Sequence, residues 1–269
     1  KIKIYKSLPI KRSFSNYIKG LISFFITLRK INPDIIIQRS AGVTTGLSSI
    51  YCLLFKKKFI YSISSDSNVN GKDEKKILGK LFKFGFDYAN YIVAQNYTQI
   101  KEIRKRKRNY KHNTFVIKNG IEIENEINQI KETILWVGRA IKLKRPEIFL
   151  KLAKLFPIER FVMICTKKDD VSYWNSIRKK AQKISNVVFY EYIPFNLIEN
   201  FFKESKIFIN TSIYEGFPNT FIQALKYKTP ILSLNVNPDN ILKKYKIGFS
   251  CNDDYNKLIN NLSTLLEDS

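Results

Sequence analysis

The chain has 269 residues, of which 44% are hydrophobic, and it therefore belongs to the globular proteins and has room for two domains. No apolar run approaches the roughly 20 residues of a membrane-spanning helix, since the best run, 21–28, is far too short. The three cysteines, Cys52, Cys165 and Cys251, are scattered without metal-ligand spacing. They argue against a disulfide framework, and a reducing cytoplasmic location is expected.

The net charge is +24, and it is unevenly distributed. Residues 1–130 hold 25 basic and 9 acidic side chains, whereas residues 131–269 hold 22 basic and 14 acidic side chains. The basic first half suggests an anionic partner such as a membrane surface, a lipid phosphate or nucleic acid. The alternative is a lysine-rich solvated surface, as expected of a chain rich in Lys, Ile and Asn together.

Short apolar runs alternate with helical patterns along the chain, which predicts an α/β protein with parallel sheets. In the first half the predicted strands are Ile2–Tyr5, Ile35–Gln38, Phe59–Ile63, Tyr91–Ala94 and Phe115–Ile117. The helices predicted between them include Ser13–Lys30, Glu74–Tyr88 and Thr98–Lys107. In the second half the predicted strands are Ile134–Val137, Phe161–Ile164, Val187–Tyr190, Ile207–Asn210 and Ile231–Leu234. The helices there are Pro146–Leu155, Tyr173–Ile184, Leu197–Glu204, Asn219–Lys226 and Asn256–Leu266.

One stretch, 206–225, combines a strand, a glycine turn and a helix start. The apolar run Lys206–Asn210 leads into a loop with Glu215 and Gly216, and Pro218 and Asn219 then open a helix. Unpaired amides and the positive end of the helix dipole would favour an anion at this point. A carboxylate just before it could hold hydroxyl groups. A ligand that has phosphate groups next to a polyol is a nucleotide sugar.

Residues 215–219, Glu-Gly-Phe-Pro-Asn, resemble the donor-site signature of retaining glycosyltransferases of family 4, which have the GT-B fold. Two further stretches agree: 133–139 followed by 144–146 resembles the family's strand, Gly-Arg and Lys element, and 115–120 resembles its interdomain junction. The resemblance covers most of residues 85–250. It implies two Rossmann-like domains with parallel sheets facing a cleft.

The turn signal Asn119-Gly120 and the stretch after it place the predicted domain boundary near residue 125. Residues 1–125 would form the acceptor-side domain and residues 126–269 the nucleotide-sugar domain. Nothing before Ile35 matches the family's glycine-rich loop, and its last helix is missing after Leu265. We therefore expect a fragment trimmed at both ends, with an incomplete first domain.

Gly138, Arg139 and Lys144 follow a predicted buried strand. Glycine allows the backbone to approach a ligand, and the two cations suit phosphate oxygens. By resemblance Arg139 and Lys144 clamp the donor diphosphate, where they would stabilise the charge of the leaving group. The alternative is a solvated charge run, because Lys142 and Arg145 are neighbours.

The resemblance also assigns the motif loop. Glu215 would contact the transferred sugar, and the backbone amides of Gly216 and Phe217 would face the same sugar. The helix start at Pro218 and Asn219 would bind a phosphate through the backbone amide of Thr220. The alternative is that Glu215 is only an acid complementing a helix dipole.

At the signature's second acid position this chain has Gln223. In relatives the acid accepts hydrogen bonds from the ribose hydroxyls, and an amide oxygen can accept one more weakly. The alternative is an exposed helical glutamine.

Relatives often carry a histidine after the strand that is equivalent to Phe59–Ile63, where this chain has Ser64-Ser65-Asp66. Asp66 could contact a sugar hydroxyl or the acceptor, or it could merely form an Asx turn. The only histidine, His112, lies in a basic loop and is interpreted as solvated.

The basic run Lys101–Lys111 could dock on an anionic bilayer together with the apolar face of Ser13–Lys30. A solvated helix end is the alternative. Nucleic acid is not predicted, because no recognition motif accompanies the run.

We predict a retaining, hexosyltransferase-like enzyme that moves a sugar from a nucleoside diphosphate sugar to a glycan or lipid-linked glycan in envelope polysaccharide synthesis. It would need no metal and no cofactor beyond this co-substrate, and it would act in the cytoplasm, with peripheral membrane contact left open. The alternatives are a catalytically impaired nucleotide-sugar-binding module, a sugar-nucleotide epimerase of the same fold and a basic nucleic-acid binder.

Overall fold

The computed structural model describes residues 3–5, 14–75, 79–106, 113–122 and 130–267. The chain divides into two compact units, 1–117 and 118–269. Residues 118–122 thus group with the second unit, although they were predicted to lie in the first domain.

The first unit contains a four-stranded parallel sheet in the order β1-β2-β3-β4 among its described residues. Its elements in chain order are α1 (Phe14–Ile31), β1 (Ile35–Arg39), α2 (Val43–Leu54), β2 (Lys58–Ser62), α3 (Gly79–Asp87), β3 (Tyr91–Ala94), α4 (Tyr97–Arg106) and β4 (Asn113–Val116). Aromatic and β-branched side chains such as Phe59, Tyr61 and Ile92 are buried and form its core.

Helices α2 and α3 approach each other closely because glycine lies at the contact. A Cβ atom on Gly85 would lie 2.3 Å from the carbonyl oxygen of Thr45, and one on Gly46 would lie 2.4 Å from that of Leu81. Backbone atoms cannot yield as a flexible side chain can, so larger residues at either position would force the helices apart.

The second unit contains a six-stranded parallel sheet in the order β10-β9-β8-β5-β6-β7 among its described residues. Its elements are β5 (Thr133–Arg139), α5 (Pro146–Leu155), β6 (Arg160–Thr166), α6 (Val171–Ala181), β7 (Val187–Tyr190), α7 (Phe195–Lys203), β8 (Ser205–Asn210), α8 (Asn219–Lys226), β9 (Ile231–Ser233), α9 (Ile241–Lys244), β10 (Gly248–Ser250) and α10 (Tyr255–Glu267).

Apolar clusters cover both faces of this sheet. One contains Trp136 and Phe149, and the other contains Phe208 and Phe221. Strands buried on both sides need continuous apolar runs, which explains why β5 and β6 read as uninterrupted hydrophobic sequence.

The predicted α/β class with parallel strands is confirmed. Four predicted elements are reproduced to the residue: β3, β7, α5 and α8. The predicted strand Ile2–Tyr5 is wrong where it can be checked, since residues 3–5 lie in no strand. Two elements, α9 and β10, were not predicted, and no bounds were predicted for α2, which lies between β1 and β2.

Candidate functional site

The strand order of the second sheet fixes where a ligand can bind. Chain order runs outward from β5 through β6 to β7 on one side, and from β8 through β9 to β10 on the other. The direction therefore reverses between β5 and β8, which are adjacent and parallel. In open parallel sheets the crevice beyond the carboxyl ends of the strands at such a point is where ligands bind. The loops after Arg139 and Asn210 start at this crevice.

Lys144 and Glu215 meet at this point. The Lys144 ammonium lies 2.7 Å from Oε2 of Glu215, and the side chains are only 18% and 16% exposed. The amide of Asn210, at the end of β8, donates to the other carboxylate oxygen, Oε1, at 2.9 Å. Both oxygens of Glu215 are thereby held in place. Asn210 was not predicted as a site residue, although its position at the end of a buried strand was a usable signal.

A second set of contacts joins the loop after β5 to the loop after β8. The indole of Trp136 donates to the hydroxyl of Thr211 at 2.9 Å, and this hydroxyl donates to the carbonyl oxygen of Lys144 at 2.6 Å. The amide of Ile213 donates to the carbonyl oxygen of Leu143 at 2.9 Å. The backbone that carries Lys144 is therefore fixed relative to the start of the motif loop.

Arg145 reinforces this connection with an ion pair and side-chain hydrogen bonds. Its Nε donates to the carbonyl oxygen of Thr211 at 2.8 Å, and its guanidinium lies 2.6 Å from Asp253. The planar guanidinium allows these contacts at once. Arg145 itself has a left-handed backbone conformation, with φ 46°. The interpretation of this stretch as a solvated charge run is therefore wrong for Lys144 and Arg145.

Gly138 has a packing role that the sequence did not reveal. A Cβ atom at this position would lie 2.8 Å from Cη2 of Trp136, two residues earlier on the same face of β5. The glycine therefore makes room for a buried indole, whatever it also does for a ligand. Arg139, which ends the strand, is exposed, and among the described residues it has no ion-pair partner.

The motif helix α8 begins at Asn219, directly after Pro218. Among the described residues no side chain caps it, so its first amides point outward at its positive end. Asn119 supports this turn, because its amide donates to Oδ1 of Asn219 at 2.8 Å and to the carbonyl oxygen of Phe217 at 3.2 Å. Pro218 and Gly216 are buried, and Thr220 is half-buried.

Gln223 is 8% exposed, so its interpretation as an exposed helical glutamine is wrong. It lines a cavity of ≈ 390 Å³. The described residues that form this cavity are Asn119, Gly120, Ile121, Phe195, Glu199, Asn219, Ile222 and Gln223. Glu199 and Phe195 were not predicted as site residues. Of the predicted donor-binding residues, only Asn219 and Gln223 line it.

Asp66 lies in the first unit, in a turn closed by its own side chains. Oδ1 of Asn68 accepts from the amides of Ser64 and Ser65, and Ser65 caps the short 3-10 helix 66–68. The carboxylate of Asp66 accepts from the side chain of Gln99 at 3.0 Å. This contact gives Asp66 a structural partner, and its catalytic role stays a prediction.

His112 and residues 107–111 of the basic run lie outside the described residues. Within the part of the chain that is described, no cluster of His, Cys, Asp and Glu has the form of a metal site, and no helix is long and apolar enough to cross a membrane.

Residues 118–269 match the family model described as glycosyl transferases group 1. An uncharacterised glycosyltransferase of Methanocaldococcus jannaschii is 24% identical in an alignment of 237 positions, which covers 77% of this chain and 56% of the relative. An uncharacterised protein in the cps region of Klebsiella pneumoniae is 24% identical over 81% of this chain and 66% of its own length. The chain thus spans roughly half to two thirds of these relatives.

The fold has close structural neighbours as well. The structure of Staphylococcus aureus TarM in complex with fondaparinux, α-GlcNAc-glycerol and UDP superposes with a TM-score of 0.71 at 18% identity, covering 92% of this chain and 52% of TarM. This likeness shows a GT-B type α/β fold with two parallel sheets. With its second unit matched throughout by the family model, the chain belongs to the glycosyl transferases group 1 family.

Proposed function

We propose that the protein is a retaining glycosyltransferase, which moves a sugar from a nucleoside diphosphate sugar to a glycan or lipid-linked glycan of the cell envelope. The observation that carries this proposal is the paired Lys144 and Glu215 at the switch point of the sheet, beside the start of α8. A carboxylate suits sugar hydroxyls, and a cation suits phosphate oxygens. The cps-region relative supports the assignment to envelope polysaccharide synthesis.

The chemistry needs negative charge to be stabilised on the departing diphosphate. Lys144 is positioned by the fixed backbone of the loop that follows β5. Arg139 is the last residue of β5, and its side chain is exposed. In our proposal a diphosphate oxygen competes with Glu215 for Lys144, and Arg139 binds a second oxygen. Such cations stabilise the transition state more than the ground state, because the charge grows as the bond to the sugar breaks.

The start of α8 supplies the remaining donors. Its first amides, including that of Thr220, would bind phosphate without a change in backbone conformation. The buried Gly216 and the half-buried Phe217 would present their amides to the sugar beside Glu215. In this scheme the leaving phosphate takes the proton of the acceptor hydroxyl, so no separate base is needed, and Asp66 would contact the acceptor.

A nucleotide-sugar-binding module without catalytic activity is the second candidate. Gln223 favours it, because a neutral amide stands where the family signature has an acid. Measurement of turnover separates the two candidates.

We also propose peripheral contact with an anionic membrane from the cytoplasmic side. In the first unit, a groove of ≈ 800 Å³ runs between α4 and β4. It is lined by the cations Lys101, Arg104 and Lys105 and by Phe115, which is 52% exposed. Cations beside an exposed aromatic ring suit an anionic bilayer surface. Sedimentation with vesicles that contain phosphatidylglycerol, compared with neutral vesicles, tests this contact.

The enzymatic proposal is tested in two steps with the full-length protein. Calorimetric titration with UDP-, GDP- and ADP-sugars should identify one donor class that binds. Release of the nucleoside diphosphate from that donor should then fall by about a hundredfold or more in Glu215→Ala, because a preorganised polar group at the reacting sugar is lost. Glu132→Ala removes an exposed acid of the same unit and should leave turnover unchanged. Unchanged turnover in Glu215→Ala would count against the site, and the absence of donor binding would refute the function.

A further inference from the structure

Gln223 lines the cavity beside α8, and the residue as a whole is only 8% exposed. Its side-chain amide makes no hydrogen bond to another described residue, and it is accessible from the cavity. An amide at a cavity wall can receive its partner from a ligand in that cavity.

Helix α7 contributes Glu199 to the same cavity. The hydroxyl of Tyr227 donates to its Oε2 at 2.7 Å, and the ammonium of Lys226 lies 3.1 Å from the same oxygen. Burial, followed by the hydrogen bond to Glu199, raises the pKa of Tyr227, so this phenol keeps its proton at neutral pH. The carboxylate is therefore held in one place by donors from α8 and its C-terminal end. A carboxylate can accept about four hydrogen bonds in all.

The rest of the cavity wall is partly apolar. Phe195, at the start of α7, is 80% exposed although it lines the cavity, and Ile121 and Ile222 complete the apolar surface. An exposed aromatic ring offers a stacking face. A ligand that fits a ring, a carboxylate and an amide together has a flat apolar part beside neighbouring hydroxyl groups. Among the components of a nucleotide sugar, the nucleoside has this form.

We propose that Glu199 supplies, from the neighbouring helix, the carboxylate that position 223 lacks, and that it accepts a hydrogen bond from the ribose of the bound nucleoside diphosphate. Gln223 binds the ribose with its amide, and Phe195 stacks against the base. This inference rests on the proposed function, since it names the nucleoside subsite of that donor. It also explains how a chain with glutamine at the signature position keeps a carboxylate that accepts a hydrogen bond from the ribose.

The test compares binding of whichever of UDP, GDP and ADP binds the full-length protein most tightly with binding of its 2′-deoxy counterpart. Glu199→Gln keeps an acceptor for Tyr227 but removes the charge. A hydrogen bond to a charged group corresponds to roughly tenfold or more in affinity. We therefore expect the variant to lose about tenfold in affinity for the ribonucleotide, with little change for the 2′-deoxy form and for inorganic pyrophosphate.

Glu147→Gln is the matched control. Glu147 also accepts a hydrogen bond from a tyrosine, Tyr173, at 2.6 Å, and it does not line the cavity. This variant should leave all affinities unchanged. Adding Gln223→Glu to Glu199→Gln returns a carboxylate to the cavity and should restore most of the ribonucleotide affinity.

Equal losses for the ribo and deoxy forms in Glu199→Gln would overturn the inference, because Glu199 would then act only through packing. Unchanged ribonucleotide affinity would overturn it as well, and in both cases the proposed function would stand. A protein that binds no nucleoside diphosphate at all would overturn the proposed function and the inference together.

Discussion

Alanine at position 138 would place a methyl group against the indole of Trp136. The Cβ atom would lie 2.8 Å from Cη2, 3.1 Å from Cζ2 and 3.3 Å from Cζ3 of the ring. Carbon atoms pack at about 3.5 Å or more, so the ring would have to move by about 0.7 Å. Trp136 is 2% exposed, and its indole nitrogen donates a hydrogen bond to Thr211. The indole ring therefore has little room to move.

The size of the effect follows from two opposing contributions. Overpacking of a buried site costs about 1–3 kcal/mol, while replacing glycine by alanine stabilises by about 0.4–1 kcal/mol through the unfolded chain. We therefore expect Gly138→Ala to lower the free energy of unfolding by about 1–2 kcal/mol. In a Trp136→Phe background the three clashing atoms are absent, so the same substitution should become neutral or slightly stabilising.

Urea unfolding followed by far-ultraviolet circular dichroism measures all four members of this cycle. Gly120→Ala is the control, because a Cβ atom at Gly120 meets nothing within 4 Å. If Gly138→Ala lowers the free energy of unfolding by the same amount with phenylalanine at position 136 as with tryptophan, the packing explanation is wrong. The glycine is then needed for its backbone conformation or for a ligand.

Two further changes test other parts of the site. Arg145→Lys loses the planar set of donors to Thr211 and should lower the free energy of unfolding by about 1–3 kcal/mol. Arg139→Lys is the control and should change the free energy of unfolding by no more than about 0.5 kcal/mol. Equal effects of the two substitutions in urea titrations would contradict this prediction. Burial raises the pKa of the Cys165 thiol from 9.0 to about 12. Between these pH values the unfolded chain binds fewer protons than the folded protein, so stability should fall as pH rises, by up to about 1.4 kcal/mol per pH unit from this group. Cys165→Ala should make the decline less steep, and an unchanged slope between pH 9 and 10.5 would argue against a buried thiol.

Much of the second unit could be predicted because local signals and tertiary packing agree there. Helix α5 starts with Pro146, and α8 follows Pro218, so proline fixes both starting points. The motif loop could be located because a buried apolar strand, a glycine turn and a helix start follow one another. The ion pair between Lys144 and Glu215 follows from two loops at adjacent strand ends, which a sequence reading can place near each other.

The remaining features depend on contacts between distant parts of the chain. Helix α2, with its glycine, serine and threonine residues, has weak helix propensity, and packing against α3 stabilises it. In the sequence Arg145 is one cation among several. Its hydrogen-bond acceptors lie more than sixty residues away along the chain, so only the fold shows its role. Glu199 is likewise an ordinary helical acid in sequence, and only the fold places it in a cavity with Gln223.

The bonds from Arg145 to the loop after β8 end on main-chain carbonyl oxygens, at Thr211 and Ser212. Every amino acid has such an oxygen, so this connection does not depend on which side chain position 212 carries. The bond from Ile213 to Leu143 is also between backbone atoms. Ser212 is only 1% exposed, whereas Ile213 is 39% exposed, so substitution at 213 can change the surface of this loop while its backbone keeps its path.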